Sequence, residues 1–74
     1  MVVQVRLFAS FREGRFKEKE LELLDESSLG DLLAQLDIDQ KDAKITIVNG
    51  SAVSAEHKLA SHDVIAIFPP IAGG

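Results

Sequence analysis

Cysteine is absent from this sequence of 74 residues. The chain therefore has no disulfide, no thiol nucleophile and no sulfur ligand for a metal, whereas small secreted domains usually depend on disulfides. No apolar run approaches the roughly 20 residues of a membrane-spanning helix. The opening MVVQVRLF also lacks the basic, apolar and small-residue segments of a secretory signal. These absences lead us to expect a cytoplasmic protein without a membrane partner.

A basic stripe and a nucleotide-binding loop are also missing. The formal net charge is -4, and the eight Lys and Arg residues are scattered among twelve Asp and Glu residues. Such a surface repels phosphate backbones, so we expect no nucleic-acid partner. No loop of the G-x-x-x-x-G-K-[ST] type is present, so this chain does not supply an ATP site of that kind.

Residues that could bind a metal are sparse and poorly spaced. His57 and His62 lie five positions apart without a cysteine, a pattern more typical of surface histidines than of metal ligands or a general base. Asp37, Asp39 and Asp42 miss the spacing of a calcium loop and lack its later glutamate, which favours a solvated acidic turn. We predict no metal site.

The apolar pattern of the first half indicates two strands. Hydrophobic residues make up 46% of the chain and charged residues 27%, a balance that predicts one folded domain over residues 1–74. Residues 2–8 and 17–24 alternate apolar and polar side chains, which predicts two strands that pair antiparallel. Residues 9–16 between them are predicted to form a helical turn or loop closed by Gly14.

One substantial helix is predicted over residues 28–37. Its leucines recur at i, i+3, i+4 and i+7, and Ser28 followed by Asp31 resembles a helix-starting cap. Gly30 is unfavourable in the first turn. The periodic positions are Leu29, Leu32, Leu33 and Leu36.

The second half predicts further strands. In AKITIVNG, residues 43–50, Ile45 and Ile47 alternate with Thr46 and Val48, and the pattern stops at Asn49-Gly50, a dipeptide suited to a tight turn. A short edge strand is predicted near Ala52 and Val53, with Leu59 as an anchor into the core. Residues 64–68 are apolar throughout, which predicts a central strand covered on both faces. We therefore expect an α+β fold of the β-grasp type, a mixed four- to five-stranded sheet with one main helix across one face.

The segment FPPIAGG, residues 68–74, is predicted to be a flexible, protruding C-terminal tail. Pro69 and Pro70 lack backbone N–H groups, so the strand must end at Phe68. The prolines also favour an extended conformation of about 3.1 Å per residue. Because Gly73 and Gly74 have no side chains, they could pass through a narrow channel and leave the final carbonyl open to attack.

The terminal carboxylate needs a partner before it can react. A carboxylate is a poor electrophile, and the chain has no ATP-binding loop to activate it. Adenylation of Gly74 by another protein would give an acyl phosphate anhydride that accepts either sulfur or an amine. Sulfur would yield a thiocarboxylate, a nucleophile at neutral pH, and an amine would yield an amide.

Several of these motifs together are similar to a known family. LFASFRE, Asn49, Leu59, Asp63 and VIAIFPPIAGG resemble the small subunit of molybdopterin synthase, a β-grasp sulfur carrier akin to ubiquitin and to the thiamine-pathway sulfur carrier. The FPPIAGG ending is the most specific part, since the thiamine carrier generally lacks the Phe-Pro-Pro approach. In the family pattern, Gly-Asp usually stands where this chain has His62-Asp63, and the first helix is longer than ASFREG readily allows.

The resemblance implies a role in molybdenum cofactor biosynthesis. An E1-like adenylyltransferase would use ATP to adenylate Gly74, which would then become a thiocarboxylate. The tail would enter the large catalytic subunit and supply dithiolene sulfur for molybdopterin. The chain itself would be no enzyme and would bind no cofactor. The resemblance assigns the reacting site to Gly74 and Gly73. The expected partner-binding residues are Phe68, Pro69, Pro70, Ile71, Ala72 and Phe8.

Three other functions remain open at this point. The chain could carry sulfur for another pathway, such as that of thiamine. It could be a protein modifier whose Gly74 becomes linked to lysines of its targets. It could also be a non-covalent interaction module in which the tail is incidental. Phe8 and Phe68 are compatible either with the sheet face away from the helix, as an exposed docking patch, or with the core.

Overall fold

The fold is a five-stranded mixed sheet with one α-helix, described by a computed structural model over residues 1–70. The strands are arranged in the order β2-β1-β5-β3-β4. β1 and β5 are parallel, and the other neighbouring strands are antiparallel. The elements are β1 (Val2–Leu7), a 3-10 helix (Ala9–Arg12), β2 (Glu18–Glu22), α1 (Leu29–Gln35), β3 (Ile45–Val48), β4 (Ser51–Ala52) and β5 (Val64–Phe68). The predicted β-grasp architecture is confirmed.

The hydrophobic core lies on one face of the sheet, here called the inner face. The alternation of β1 directs Val3, Val5 and Leu7 inward, where each is at most 1% exposed. Ile65 and Ile67 of β5 are fully buried beside them. The leucines of α1 join the same cluster, so the helix and the two central strands share one core. Its further members are Leu29, Leu32, Leu33, Phe11, Leu23, Ile38, Val48 and Leu59.

The predicted cap starts α1 as expected. The Ser28 hydroxyl accepts from the Asp31 N–H at 3.1 Å, and the Asp31 carboxylate accepts from the Ser28 N–H at 2.9 Å. Hydrogen bonds from the backbone N–H of Ser28, and then from its side chain, lower the pKa of the Asp31 carboxyl below its ordinary value. The helix ends earlier than predicted, because Asp37 turns into the left-handed region with φ of 60°.

Gly30 lies where the first turn of α1 packs closely against another segment, which explains why a residue of low helix propensity is found there. The Gly30 N–H donates to the Ala55 carbonyl at 2.9 Å, and the Leu29 N–H donates to the His57 carbonyl at 2.9 Å. A Cβ at position 30 would lie 3.3 Å from the Ala55 oxygen and 2.9 Å from Nε2 of Gln40. A side chain at position 30 would displace the Gln40 amide and crowd the Ala55 carbonyl, so glycine suits the close approach of the first turn of α1 to the 54–57 backbone.

A buried carboxylate joins the turn after β3 to the start of β5. Asn49 and Gly50 both have positive φ, 51° and 88°, which confirms the predicted tight turn. The Asn49 amide donates to Asp63 at 2.8 Å and accepts from the Val64 N–H at 2.9 Å. The other Asp63 oxygen accepts from the Ala60 N–H at 2.8 Å. This network sets the position from which β5 runs towards the tail.

β5 is central, as predicted, but it is not buried on both faces. It is hydrogen-bonded to β1 on one side and to β3 on the other. Only Ile65 and Ile67 are buried, whereas Val64, Ala66 and Phe68 are half-buried on the opposite face. The prediction that both faces are covered was therefore wrong for the described residues. The apolar run reflects a core on one face and an apolar surface on the other.

Candidate functional site: the outer sheet face and the base of the tail

The face of the sheet opposite the core, here called the outer face, divides into two halves. Strand pairing places Arg6 beside Ala66, and Ala66 beside Ile47, on the same side of the sheet. Near the end of β5, Ile45 pairs with Phe68. These register positions define an apolar half of the outer face, made of Phe8, Ile45, Ile47, Ala66 and Phe68.

The other half of the outer face is acidic. Glu18, Glu20 and Glu22 of β2 lie opposite Arg6, Gln4 and Val2 in the antiparallel register. Arg6 Nε lies 3.5 Å from the Glu18 carboxylate, which also accepts a hydrogen bond from the Gln4 amide. Charged pairs at this exposure contribute little to folding stability. Their main consequence is a sharp boundary between a charged and an apolar surface.

The exposure of Ile45 identifies the apolar half as a candidate docking surface. Ile45 is 44% exposed, although isoleucine is among the residues most often fully buried. It lies next to Phe68, which is half-buried. Contiguous exposed apolar residues bordered by charged ones are typical of protein-binding sites.

Phe8 and Phe68 form an aromatic stack at the top of this surface. Leu7 pairs with Ile67, so the next residues on the two parallel strands, Phe8 and Phe68, emerge side by side on the outer face. Their ring centroids are 4.2 Å apart and their planes differ by 10°. Both residues are half-buried. Of the two predicted positions, the outer face is therefore the correct one.

The tail begins directly at this stack. β5 ends at Phe68, as the prolines predict, and Pro69 is half-buried whereas Pro70 is exposed. The remaining predicted site residues, Ile71, Ala72, Gly73 and Gly74, lie outside the described residues. The docking surface and the base of the tail thus adjoin each other.

The weaker candidates of the sequence do not assemble into a site. His57 and His62 are both exposed, and Asp37, Asp39 and Asp42 are exposed after the end of α1. Within residues 1–70, no three His, Cys, Asp or Glu side chains come together in a way that could hold a metal ion. In the same range, no helix combines the length and apolar character needed to cross a membrane.

Two residues of the site, Ile45 and Arg12, were not identified as site residues from the sequence. Ile45 was assigned to a strand but not to a surface, because alternation alone does not say which set of side chains faces the core. Arg12 was not singled out, yet its guanidinium carbon lies 5.2 Å from the Phe8 ring centroid. Its position four residues after an aromatic, in a segment predicted to be a helical turn, was the available signal.

Comparison with known proteins agrees with this geometry. The family model described as the ThiS family matches residues 5–74, which is nearly the whole chain. The chain belongs to the ThiS family. This ThiS family chain is a β-grasp protein of the ubiquitin-like sulfur-carrier type. No curated protein matches it significantly in sequence.

Three solved structures show how closely other β-grasp proteins share the fold of this ThiS family chain. SAMP1 from Haloferax volcanii is 24% identical with a TM-score of 0.81, and the match covers 100% of both chains. A Pyrococcus furiosus protein described as subunit 1 of molybdopterin converting factor is 29% identical with a TM-score of 0.75, over 96% of this chain and 99% of its own. In a Helicobacter pylori complex of subunits 1 and 2 of molybdopterin-converting factor, the matching chain is 24% identical with a TM-score of 0.65, and both chains are covered completely.

Proposed function

We propose that this chain is the sulfur-carrier subunit of a molybdopterin synthase. The observation that carries the proposal is the continuity between an apolar docking surface and the base of a Phe68-Pro69-Pro70 segment that leads to Gly73-Gly74. The family membership and the likeness to subunit 1 of molybdopterin converting factor support it. In this role Gly74 carries the sulfur, and the larger partner contains the site of molybdopterin formation.

The proposed chemistry takes place at the Gly74 carboxyl group. An E1-like adenylyltransferase joins a carboxylate oxygen to the α-phosphorus of ATP, and pyrophosphate leaves. Sulfide supplied by the activating system then attacks the carbonyl carbon, AMP leaves, and a thiocarboxylate remains. Its sulfur is ionised and nucleophilic at neutral pH, so it attacks a carbon of a substrate held by the large subunit and displaces an oxygen leaving group. Water then cleaves the bond between this sulfur and the Gly74 carbonyl carbon, which leaves the sulfur on the substrate and returns the Gly74 carboxylate.

In this cycle, the described residues bind the partner and present the tail to it. The apolar half of the outer face buries against a partner, while the proline pair stiffens the start of the tail. Glycine at the last two positions leaves the reacting carbonyl unhindered. The proposed partners are the large subunit of molybdopterin synthase and the E1-like adenylyltransferase, in the cytoplasm and without a membrane or nucleic acid. The chain alone is no enzyme, and ATP is bound by the activating partner.

A second candidate is a ubiquitin-like protein modifier. The fold is shared with SAMP1, described as small archaeal modifier protein 1. The same adenylate would then accept a lysine amine of a target instead of sulfur, and Gly74 would become part of an amide. Conjugates of higher mass that require Gly74 would favour this candidate over the sulfur carrier. A thiamine-type carrier would instead restore thiamine synthesis and not molybdopterin synthesis.

The test is complementation of a cell that lacks its own small subunit. The wild-type chain is expected to restore molybdopterin synthesis, whereas deletion of Gly74 or addition of one alanine after it should abolish synthesis. Ser61→Ala, an exposed change outside both the tail and the apolar half of the outer face, serves as the matched control and should behave as wild type. Normal synthesis with the extended end would reject the proposal and favour a non-covalent interaction module.

A further inference from the structure

Arg12 is tied to the end of β1 beside the base of the tail. Its Nε donates to the Leu7 carbonyl at 2.7 Å, and its guanidinium carbon lies 5.2 Å from the Phe8 ring centroid. Phe8 in turn stacks on Phe68 at 4.2 Å. Arg12 is exposed, and the hydrogen bond through Nε together with the contact to the Phe8 ring restricts the positions that its guanidinium can take. The three side chains form a stack, here called the Arg12 stack.

The backbone between Phe8 and Arg12 adopts an unfavourable conformation to build this stack. Ala9 has a φ of 52°, in the left-handed region that residues with a Cβ seldom occupy. The turn lets the Phe11 N–H donate to the Phe8 carbonyl at 3.2 Å and starts the 3-10 helix that carries Arg12. Strain of this kind persists where the surrounding structure requires it, and it is frequent at functional sites.

The neighbouring Arg15 shows what a purely structural arginine does in the same loop. Its Nε donates to the Leu36 carbonyl at 3.0 Å, and Nη2 donates to the Asp37 carbonyl at 3.1 Å. It thereby satisfies carbonyl groups at the C-terminal end of α1, where a cation is favourable. Its cation–π partner is Phe11, at 6.0 Å, and not a ring at the base of the tail. Arg15 is therefore a matched control for Arg12.

We propose that Arg12 is a positioning residue that acts through the Arg12 stack. By holding Phe8 against Phe68, it fixes the last residue of β5 and the half-buried Pro69 that follows. The direction in which the tail leaves the sheet is then set before any partner binds. Pre-set geometry lowers the cost of bringing a reacting group into place, so presentation of Gly74 to the activating enzyme becomes more efficient. This inference rests on the proposed sulfur-carrier function.

The kinetic test compares Arg12→Gln with Arg15→Gln in adenylation by the E1-like enzyme. Pyrophosphate release is measured over a range of carrier concentrations. Arg12→Gln is expected to lower kcat about tenfold, because a misplaced reacting group slows the chemical step, and to change KM less than about threefold. Arg15→Gln should leave both constants near wild type. Arg12→Lys, which keeps the charge but not the fork of donors, should lie between Arg12→Gln and wild type. An unchanged kcat, or a rise in KM alone, would overturn the positioning role.

A second measurement needs no partner and separates failure of this inference from failure of the proposed function. Proton NMR of the free chain reports Phe8–Phe68 ring contacts through nuclear Overhauser effects and ring-current shifts. Arg12→Gln should weaken both signals, whereas Arg15→Gln should preserve them. If the enzyme does not act on the wild-type chain, the proposed function fails, and these signals still decide whether Arg12 holds the stack. Unchanged ring contacts in Arg12→Gln would overturn the inference.

Discussion

The two faces of the sheet use the same strands for different purposes. On the inner face, Val5, Leu7, Ile65 and Ile67 have no measurable exposure and pack beneath α1. On the outer face, the alternate positions of the same strands are half-buried or exposed, and Ile45 is 44% exposed. The difference indicates that the inner face holds the fold together, which leaves the outer face available for binding.

The largest effect is expected from matched isoleucine truncations on the two faces. Ile65→Ala on the inner face should lower the free energy of unfolding by about 2–5 kcal/mol, because it opens a cavity in a fully buried site. Ile45→Ala on the outer face should cost about 1 kcal/mol or less. Urea denaturation followed by circular dichroism measures both. Equal losses would show that the outer face also holds the fold together.

Binding of the large synthase subunit should depend on the outer face, whereas stability depends mainly on the inner face. Ile45→Lys is expected to weaken binding of the large synthase subunit by about tenfold or more, because it places a charge within the apolar half, next to Phe68. Leu24→Lys is the control, since Leu24 is 85% exposed but lies beyond β2 and outside the apolar half. Isothermal titration calorimetry gives the Kd of each. Equal weakening by the two substitutions would argue against a docking surface around Ile45.

Substitution of His62, which is not part of the strands that form either face, should change the stability of the fold and not partner binding. His62 has a φ of 72°, a conformation that glycine adopts without the steric cost of a Cβ. His62→Gly is expected to raise the free energy of unfolding by about 0.5–1 kcal/mol, and therefore the Tm. The Kd for the large subunit should not change. A lower Tm would mean that the imidazole contributes more than the strained backbone costs.

The smallest expected effect on stability comes from the N-terminal cap of α1, and it depends on pH. The pKa of Asp31 is lowered in the folded state, so its contribution to stability is present above the pKa of the unfolded chain. That contribution is lost as pH falls through the lower folded pKa. Asp31→Asn should therefore reduce Tm slightly at neutral pH, and the difference from wild type should disappear in acid. A difference that grows towards acid would contradict this sign.

Local patterns in the sequence predicted much of the inner face. The alternation of β1, the leucine spacing of α1 and the Ser28 cap are each encoded within a few neighbouring residues. The tight turn at Asn49-Gly50 is equally local, because positive φ at both positions is a property of those residue types. These elements were predicted correctly for that reason.

The outer face could not be predicted to the same extent. An apolar strand such as β5 is compatible both with burial on two sides and with a docking surface, and only its neighbours in space decide between them. The roles of Arg12 and Gly30 depend on contacts with Phe8 and with the Ala55 backbone, which no short pattern contains. The FPPIAGG ending was interpreted first from its proline and glycine residues and then through family resemblance, and the chemistry of Gly74 stays a prediction.

The most direct test of the central claim is the intact mass of the chain purified from cells that make molybdopterin. If Gly74 carries sulfur, a fraction of the chain will have one oxygen replaced by sulfur, and fragmentation will place that sulfur on Gly74. This fraction should disappear when the activating enzyme is deleted. Detection of only the unmodified carboxylate in cells with an active pathway, or of sulfur at another position, would contradict it.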